Sequence, residues 1–255
     1  MAASVFLVAV SALTVVGGRA GFPVDEYRDA FMFTAARPGD PSASRILVVG
    51  APGDLPGEDR TIDGAAYRLV SAPIPESWET YLHDPRIGDD ALAETLRLII
   101  GGETKRAGEL LATYGVRWIV VLDDEQSDFF ANAWRTVFAG QLDLVPLGGG
   151  LEYTTFENEV EGAARALTSS GTVWSRSGTG YEGRAGFGVD VEVRENANAR
   201  WGPGEWQQRD WANAIAASAG VAEFDPMGSR RTQAIAAAAW LIVLTVFSWA
   251  GRRFG

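Results

Sequence analysis

Three consecutive acidic residues, Asp123, Asp124 and Glu125, directly follow the apolar run at residues 116–122. In α/β proteins ligands bind at the carboxyl ends of strands, and carboxylate oxygens suit Mg²⁺ or Mn²⁺. An acidic pair there could hold a divalent ion on the diphosphate of a nucleotide sugar, as in metal-dependent glycosyl transfer. The alternative is a solvated helix start, where negative charge meets the helix dipole. Because D-D-E lacks the usual spacing of the metal-binding pair, the helix start is favoured, and we predict no cofactor.

Tryptophans concentrate in the last third of the body of the chain, where they could contact sugars. Trp174, Trp201, Trp206 and Trp211 occur there, with Asp190 as a hydrogen-bond partner. The C–H face of a sugar stacks on an indole ring, so these residues are candidate glycan contacts. The alternative places them in the core of a small sandwich or at a membrane interface. This second interpretation is favoured, and glycan contact is the competing hypothesis.

Other catalytic motifs are missing from the sequence. The chain has no cysteine, which excludes disulfides, thiolate catalysis and cysteine metal sites. His83 is its single histidine, and no GxSxG nucleophile elbow occurs. The GAPG at residues 50–53 matches neither dinucleotide nor P-loop fingerprints, so it is interpreted as a turn. The sequence therefore favours a chain without catalytic activity of its own and assigns no catalytic residue.

The acidic triplet is positioned by a helix–turn–strand unit. Ala107, Leu110, Leu111 and Tyr114 recur at helical spacing, which predicts a helix that begins after Thr104. Gly115 supplies a left-handed stop. Residues 116–122 then form an apolar run rich in β-branched residues, which predicts a strand covered on both faces and central to its sheet.

Helices and strands alternate over the first part of the chain. Apolar runs predict strands at 45–50, 67–70, 142–147 and 151–156, and helical spacing predicts a helix capped by Asp89 or Asp90 and another over 127–140. Residues 24–33 mix charged and aromatic residues, as in a short helix near a membrane. Further along, valines at 189, 191 and 193 alternate with polar residues, which predicts a strand with one face exposed to solvent. The predicted fold class is α+β or α/β, a mixed α/β domain over 19–166 followed by a β-rich, sandwich-like module over 167–231.

Both ends of the sequence are apolar. Thr232 to Gly251 has no charge over 20 residues and is followed by Arg252 and Arg253, and that length of helix spans about 30 Å of hydrocarbon. Residues 2–18 are also uncharged, and no basic n-region precedes them as a signal peptide requires. We therefore predict two transmembrane helices that flank the body, at 1–18, as a span or signal anchor, and at 232–251.

The body between the apolar ends is strongly acidic. Residues 19–231 hold 20 of the 22 basic residues and all 33 carboxylates, so their formal charge is 20 minus 33, or −13. Such a surface repels phosphate backbones, which excludes nucleic acid as a partner. The two apolar ends of the sequence predict that the lipid bilayer is a partner of this chain.

One family shares the order of these segments. A similar order occurs in the C-terminal extracytoplasmic region of large actinobacterial membrane proteins classed with family-2 glycosyltransferases, which this chain resembles over about residues 45–211. The segments that carry the resemblance are RILVVG, YRLV, GGETKRAGELLATYGVRWIVV, QLDLVPL, LEYTTFEN and RDWANAIAA. In those proteins a transferase domain and many membrane spans come first, and neither occurs here. The resemblance implies an α/β unit followed by a sandwich-like unit outside the membrane, and it carries over no catalytic residue.

We therefore expect a non-catalytic domain of a cell-envelope glycosyltransferase system, anchored in the cell membrane with its body extracytoplasmic. It would act by docking on a polytopic transferase or by contacting envelope glycan. The alternatives are a glycosyltransferase in its own right, using Asp123 and Asp124, and a freestanding carbohydrate-binding module.

Overall fold

A computed structural model describes residues 31, 33–36, 41–52, 55, 60–71, 87–122, 128–149, 153–177, 180–183, 189–195, 201–202, 206–209, 211–217 and 221–224. These residues form a mixed α/β structure with several sheets, and most of its elements are strands. The predicted class, a mixed α/β part followed by a β-rich part, is confirmed at this level. Within the described ranges no helix is both long and apolar enough to cross a bilayer. The apolar ends at 1–18 and 232–251 lie outside those ranges.

The first part of the chain is built on a six-stranded sheet with the order β2-β3-β1-β4-β6-β5. β1 and β4 run parallel at its centre, and the other neighbours are antiparallel. The predicted central strand is therefore confirmed, because β4 has a neighbour on each side. The strands are β1 (Arg45–Gly50), β2 (Arg60–Ile62), β3 (Ala65–Ser71), β4 (Val116–Leu122), β5 (Leu144–Gly149) and β6 (Tyr153–Asn158).

Three helices cover one face of this sheet. They are α1 (Ile87–Ile100), α2 (Ala107–Ala112) and α3 (Asp128–Ala139), and their apolar residues form one buried cluster with alternate residues of β1 and β4. α1 begins two residues before the predicted cap, so Asp89 and Asp90 lie in its first turn, where they still favour the helix dipole. Gly115 has a φ of 72°, which confirms the left-handed stop after α2.

The opposite face of the six-stranded sheet is covered by one residue that precedes β1, Phe31, and one that follows it, Leu55. Phe31 is 2% exposed and Leu55 is 4% exposed, and both pack on Trp118, Ile46 and neighbouring apolar residues. Of the short helix predicted over residues 24–33, only Phe31 and Phe33 are described, and Phe31 is helical and buried against the sheet. The other residues of that prediction lie outside the described ranges. Because alternate residues of β1 and β4 divide between two apolar clusters, each strand needs a cover on both faces.

The hairpin of β5 and β6 lies two residues later than the sequence predicts. The predicted ranges were 142–147 and 151–156, whereas the strands are Leu144–Gly149 and Tyr153–Asn158. The side chains of Gln141 and Asp143, which precede β5, accept hydrogen bonds from the start of α2. Gly148, with a φ of 98°, marks a shift of register within the hairpin.

The second part of the chain forms two four-stranded sheets, with the orders β12-β13-β10-β7 and β11-β14-β9-β8. Val191 and Val193 of β10 are buried and Asp190 is exposed, as the period of two predicts. The predicted division between residues 166 and 167 falls inside β7, which pairs with β10. The strands are β7 (Ala166–Thr168), β8 (Ser175–Ser177), β9 (Gly180–Glu182), β10 (Val189–Val193), β11 (Trp201–Gly202), β12 (Trp206–Arg209), β13 (Ala212–Ala217) and β14 (Val221–Phe224).

Candidate functional site

The acidic triplet Asp123, Asp124 and Glu125 lies outside the described residues, but the strand that precedes it is described. β4 ends at Leu122, and its parallel neighbour β1 ends at Gly50, with Val49 opposite Val121. The carboxyl ends of both parallel strands therefore lie at the same end of the sheet. Within the described part of the chain, no three His, Cys, Asp or Glu side chains come together as metal ligands.

A carboxylate whose side chain is 16% exposed, that of Glu195, lies where the six-stranded sheet meets the β-rich part. Arg165, which is 1% exposed, donates to its Oε1 from Nε at 3.0 Å and from Nη2 at 2.6 Å. Arg45 at the start of β1 is 8% exposed and donates to Oε2 through Nη2. The Tyr181 hydroxyl donates to Oε1 at 2.5 Å. One carboxylate thus binds two guanidinium groups and a phenol.

The arginines of this cluster also hydrogen-bond to the backbone and side chains of both parts of the chain. Arg45 donates from Nη1 to the carbonyls of Tyr114, at 2.8 Å, and Arg194, at 2.7 Å. Arg176 of β8 donates to the Ser71 hydroxyl at 2.8 Å. Arg165 also donates to that hydroxyl. Since Ser71 ends β3 and Arg176 lies in the β-rich part, the cluster joins the two parts.

Near neutral pH Glu195 is ionised and the Tyr181 hydroxyl keeps its proton. Burial alone would raise the pKa of Glu195, but the charges of Arg165 and Arg45, with the Tyr181 hydrogen bond, outweigh it and lower the pKa to about 2. Burial also raises the pKa of the Tyr181 hydroxyl. A general acid or base works best with a pKa near the operating pH. The cluster is therefore suited to holding the sheets together and not to proton transfer.

The start of α2 is a second polar cluster, which sequence reasoning missed. Asp143 accepts hydrogen bonds from the backbone N–H groups of Gly108 and Glu109, each at 2.9 Å, and Gln141 accepts from the N–H of Ala107 at 3.0 Å. A remote loop thus supplies the acceptors that a helix start needs. The segments 101–121 and 141–147 are therefore in direct contact here.

Gly108 is required at this helix start by its neighbours. A Cβ there would lie 2.5 Å from Asn158 Oδ1 and 2.7 Å from Asp143 Cγ. Asn158 is 2% exposed and donates to the carbonyls of Gly108, at 2.8 Å, and Val116, at 2.9 Å. A sequence signal was present, because a glycine in the first turn of an apolar helix is unfavourable without a packing reason.

Replacement of Asp143 by alanine is expected to lower the free energy of unfolding by about 2 kcal/mol, because two hydrogen bonds from a helix start to a carboxylate are lost. Thermal unfolding of the full chain in mild detergent measures this change. The Glu109→Ala variant is the control, since the Glu109 side chain is exposed and pairs with Arg106, while its backbone N–H, which donates to Asp143, is kept. Equal stability of the two variants would contradict the capping role of Asp143.

The candidate glycan contacts have different surroundings in the described structure. Trp174 is 0% exposed and lies in the core of the β-rich part, so the predicted sugar contact is wrong for it, because no ligand reaches a fully enclosed ring. Trp206 is half-buried against the same core. Trp211 stacks on Tyr114, with 4.8 Å between ring centroids. Trp201 lies in β11, and Asp190 is exposed in β10.

The arrangement of the packed tryptophans agrees with the favoured interpretation of the sequence, in which tryptophan fills the sandwich core. Trp211 also has a packing role, but between the two parts of the chain, because it stacks on Tyr114 in the turn between α2 and β4.

Comparisons with protein-family models, with curated proteins and with solved structures find no match to this chain.

Proposed function

We propose that this chain is a non-catalytic, membrane-anchored domain that lies outside the cytoplasm and serves a glycosyltransferase system of the cell envelope. The observation that carries the proposal is the uncharged segment of 20 residues, Thr232 to Gly251, that follows the β-rich part. β14 ends at Phe224, so only the seven residues 225–231 separate the last described strand from this segment. Seven extended residues span at most about 25 Å. The body would therefore be held close to the bilayer.

The buried charges of the body support a scaffold role. Arg45, Arg165 and Glu195 use their hydrogen bonds on each other and on both parts of the chain, which favours a rigid body over a hinged one. The formal charge of −13 over residues 19–231 favours a partner with a basic face. The family resemblance supports a polytopic transferase of envelope glycan as that partner.

The anchor is tested by charges placed in the middle of the segment. Because residues 1–18 are predicted to span as well, Leu241→Arg and Leu244→Arg are combined with Val10→Arg. This variant is expected to be released by an alkaline wash, whereas the unaltered chain needs detergent, because each arginine costs about 2.5–3.5 kcal/mol at the centre of a span. The matched control, with alanine at the same positions, stays with the membrane. Release of the unaltered chain by the wash would overturn the anchor.

The docking role is tested by co-purification of the full, tagged chain from detergent-solubilised native membranes. Recovery of a polytopic transferase supports the proposal, and recovery of no other envelope protein contradicts it. The transferase alternative rests on the shared edge at which the parallel strands β1 and β4 end, next to Asp123. Sugar transfer by the purified chain that is lost in an Asp123→Ala and Asp124→Ala variant would establish that alternative instead.

A further inference from the structure

The strand β5 lies at one edge of the six-stranded sheet and exposes apolar residues. It is last in the strand order, and β6 is its one neighbour among the described strands. Its sequence, LVPLGG, holds no charged residue. Val145 is 37% exposed, and Leu142, two residues before the strand, is 79% exposed. An uncharged, exposed edge of this kind can pair with the same strand of another molecule, unless its backbone prevents the pairing.

One backbone hydrogen bond shows which residues of β5 turn towards β6. Glu159, which follows β6, donates from its N–H to the carbonyl of Asp143 at 3.3 Å. Along an antiparallel strand the N–H and C=O groups of successive residues point alternately to the two sides, and the shift of register comes only after Pro146. Val145 therefore also faces β6, whereas the alternate residues, Leu144 and Pro146, turn their backbone groups outward.

Two of the outward positions at this edge cannot donate a hydrogen bond to an added strand. The N–H of Leu142 already donates to the carbonyl of Lys105 at 2.8 Å, and Pro146 has no N–H. Between residues 142 and 146 of the described structure, Leu144 is therefore the only outward donor that remains. Proline is tolerated in a strand at such an edge, because the missing N–H would face solvent.

We propose that Pro146 closes the β5 edge to strand pairing with a second copy of this chain. A two-fold pairing that brings the exposed Val145 side chains together would place Leu144 of each copy opposite Pro146 of the other. Residues opposite each other at a bonded position exchange two hydrogen bonds, and one of these needs the N–H that proline lacks. The proline ring occupies the place of that hydrogen and would meet the Leu144 carbonyl of the other copy. The ring thus opposes the approach, and each contact loses one of its hydrogen bonds.

This inference goes beyond the proposed function and does not depend on it. It concerns the edge of a sheet within the described body, so its failure would leave the anchor and the docking role unchanged. Failure of the anchor would likewise leave Pro146 in place at the edge.

The absence of cysteine from the chain allows the pairing to be measured as a disulfide. In the two-fold pairing, residue 145 lies opposite itself in a non-hydrogen-bonded pair, where the Cα atoms are about 4.5 Å apart, a distance that a disulfide can bridge. The full Val145→Cys chain is purified in mild detergent and oxidised with Pro146 kept or replaced. We expect the covalent dimer to form about tenfold faster with Pro146→Val, because the new N–H restores the missing hydrogen bonds.

Two further variants connect this rate to the N–H group. Val173→Cys is the matched control, because Val173 is also an exposed valine, at 47%, and lies outside β5, so its rate should not respond to Pro146→Val. Pro146→Ala also restores the N–H and should accelerate the dimer at position 145 as valine does. Thermal unfolding confirms that each variant is folded.

Three results would overturn the proposal. The first is an unchanged rate at position 145 when Pro146 is replaced by either residue. The second is acceleration by valine without acceleration by alanine, which would assign the effect to the added side chain. The third is an equal acceleration at position 173, which would show that the association is not confined to the β5 edge.

Discussion

A Glu195→Gln variant is expected to lower the free energy of unfolding by about 3–5 kcal/mol, because it leaves two buried guanidinium groups without their counter-charge. Arg165 is 1% exposed and Arg45 is 8% exposed, so water compensates only in part for the lost negative charge. Glutamine has nearly the same shape and keeps one acceptor oxygen, so the loss reports charge and not volume.

Thermal and urea unfolding of the full chain in mild detergent measure this loss. The control is Glu94→Gln, because the Glu94 and Arg97 side chains are 65% and 56% exposed and such a surface pair contributes less than about 1 kcal/mol. If Glu195→Gln unfolds at the same midpoint as the control, the cluster does not hold the two parts together.

The same variant should change the acid limb of the stability curve. The pKa of Glu195 falls from an ordinary value of 4.5 to about 2 in the folded protein. Its ionisation therefore stabilises the fold fully above about pH 4.5, and this contribution, about 3 kcal/mol, is lost as the pH falls towards 2. The Glu195→Gln variant lacks this group, so its stability should fall less steeply over that range than that of the unaltered chain.

The parts of the fold that the sequence predicts are those specified by neighbouring residues. α2, the left-handed Gly115 and β4 follow one another within residues 107–122, and each has a local cause in periodicity, glycine conformation or β-branching. β10 was predicted for the same reason, since its alternation of buried valines with polar residues is a property of the strand itself.

The features that the sequence does not predict join residues far apart in the chain. Arg45 and Glu195 are 150 positions apart, and neither has a neighbour in the sequence that identifies its partner. Asp143 accepts a hydrogen bond from the N–H of Gly108 across 35 positions. The cover of the second sheet face by Phe31 was also missed, because the pattern of β1 requires a cover without specifying which segment supplies it.

The packed tryptophans show the same difficulty at the candidate site, because their roles depend on residues that are distant in the sequence. Tryptophan can stack on a sugar or fill a core with the same ring, and only the surroundings distinguish the two roles. In the described structure Trp174 is enclosed by residues of both β-rich sheets, including Tyr181, Val191 and Ile215. Its role is therefore tested by stability and not by binding.

A Trp174→Ala variant is expected to lower the free energy of unfolding by about 3–5 kcal/mol, since it removes a fully buried indole and leaves a cavity in a small core. Val173→Ala is the matched control, because Val173 is the adjacent residue and is 47% exposed. Thermal unfolding followed by far-ultraviolet circular dichroism measures both. A folded and equally stable Trp174→Ala variant that no longer responds to envelope glycan would restore the sugar-contact hypothesis.

Gly183 provides an independent test of the same packing. A Cβ on Gly183 would lie 2.4 Å from Trp174 Cδ1, so Gly183→Ala should destabilise the unaltered chain by about 1–3 kcal/mol through overpacking. In a Trp174→Leu background the smaller side chain leaves room for that methyl group, and the penalty should fall below about 1 kcal/mol. The coupling between the two positions separates a core tryptophan from a ligand-binding one, because a ring that stacked on a sugar at the surface would leave the cost of Gly183→Ala unchanged.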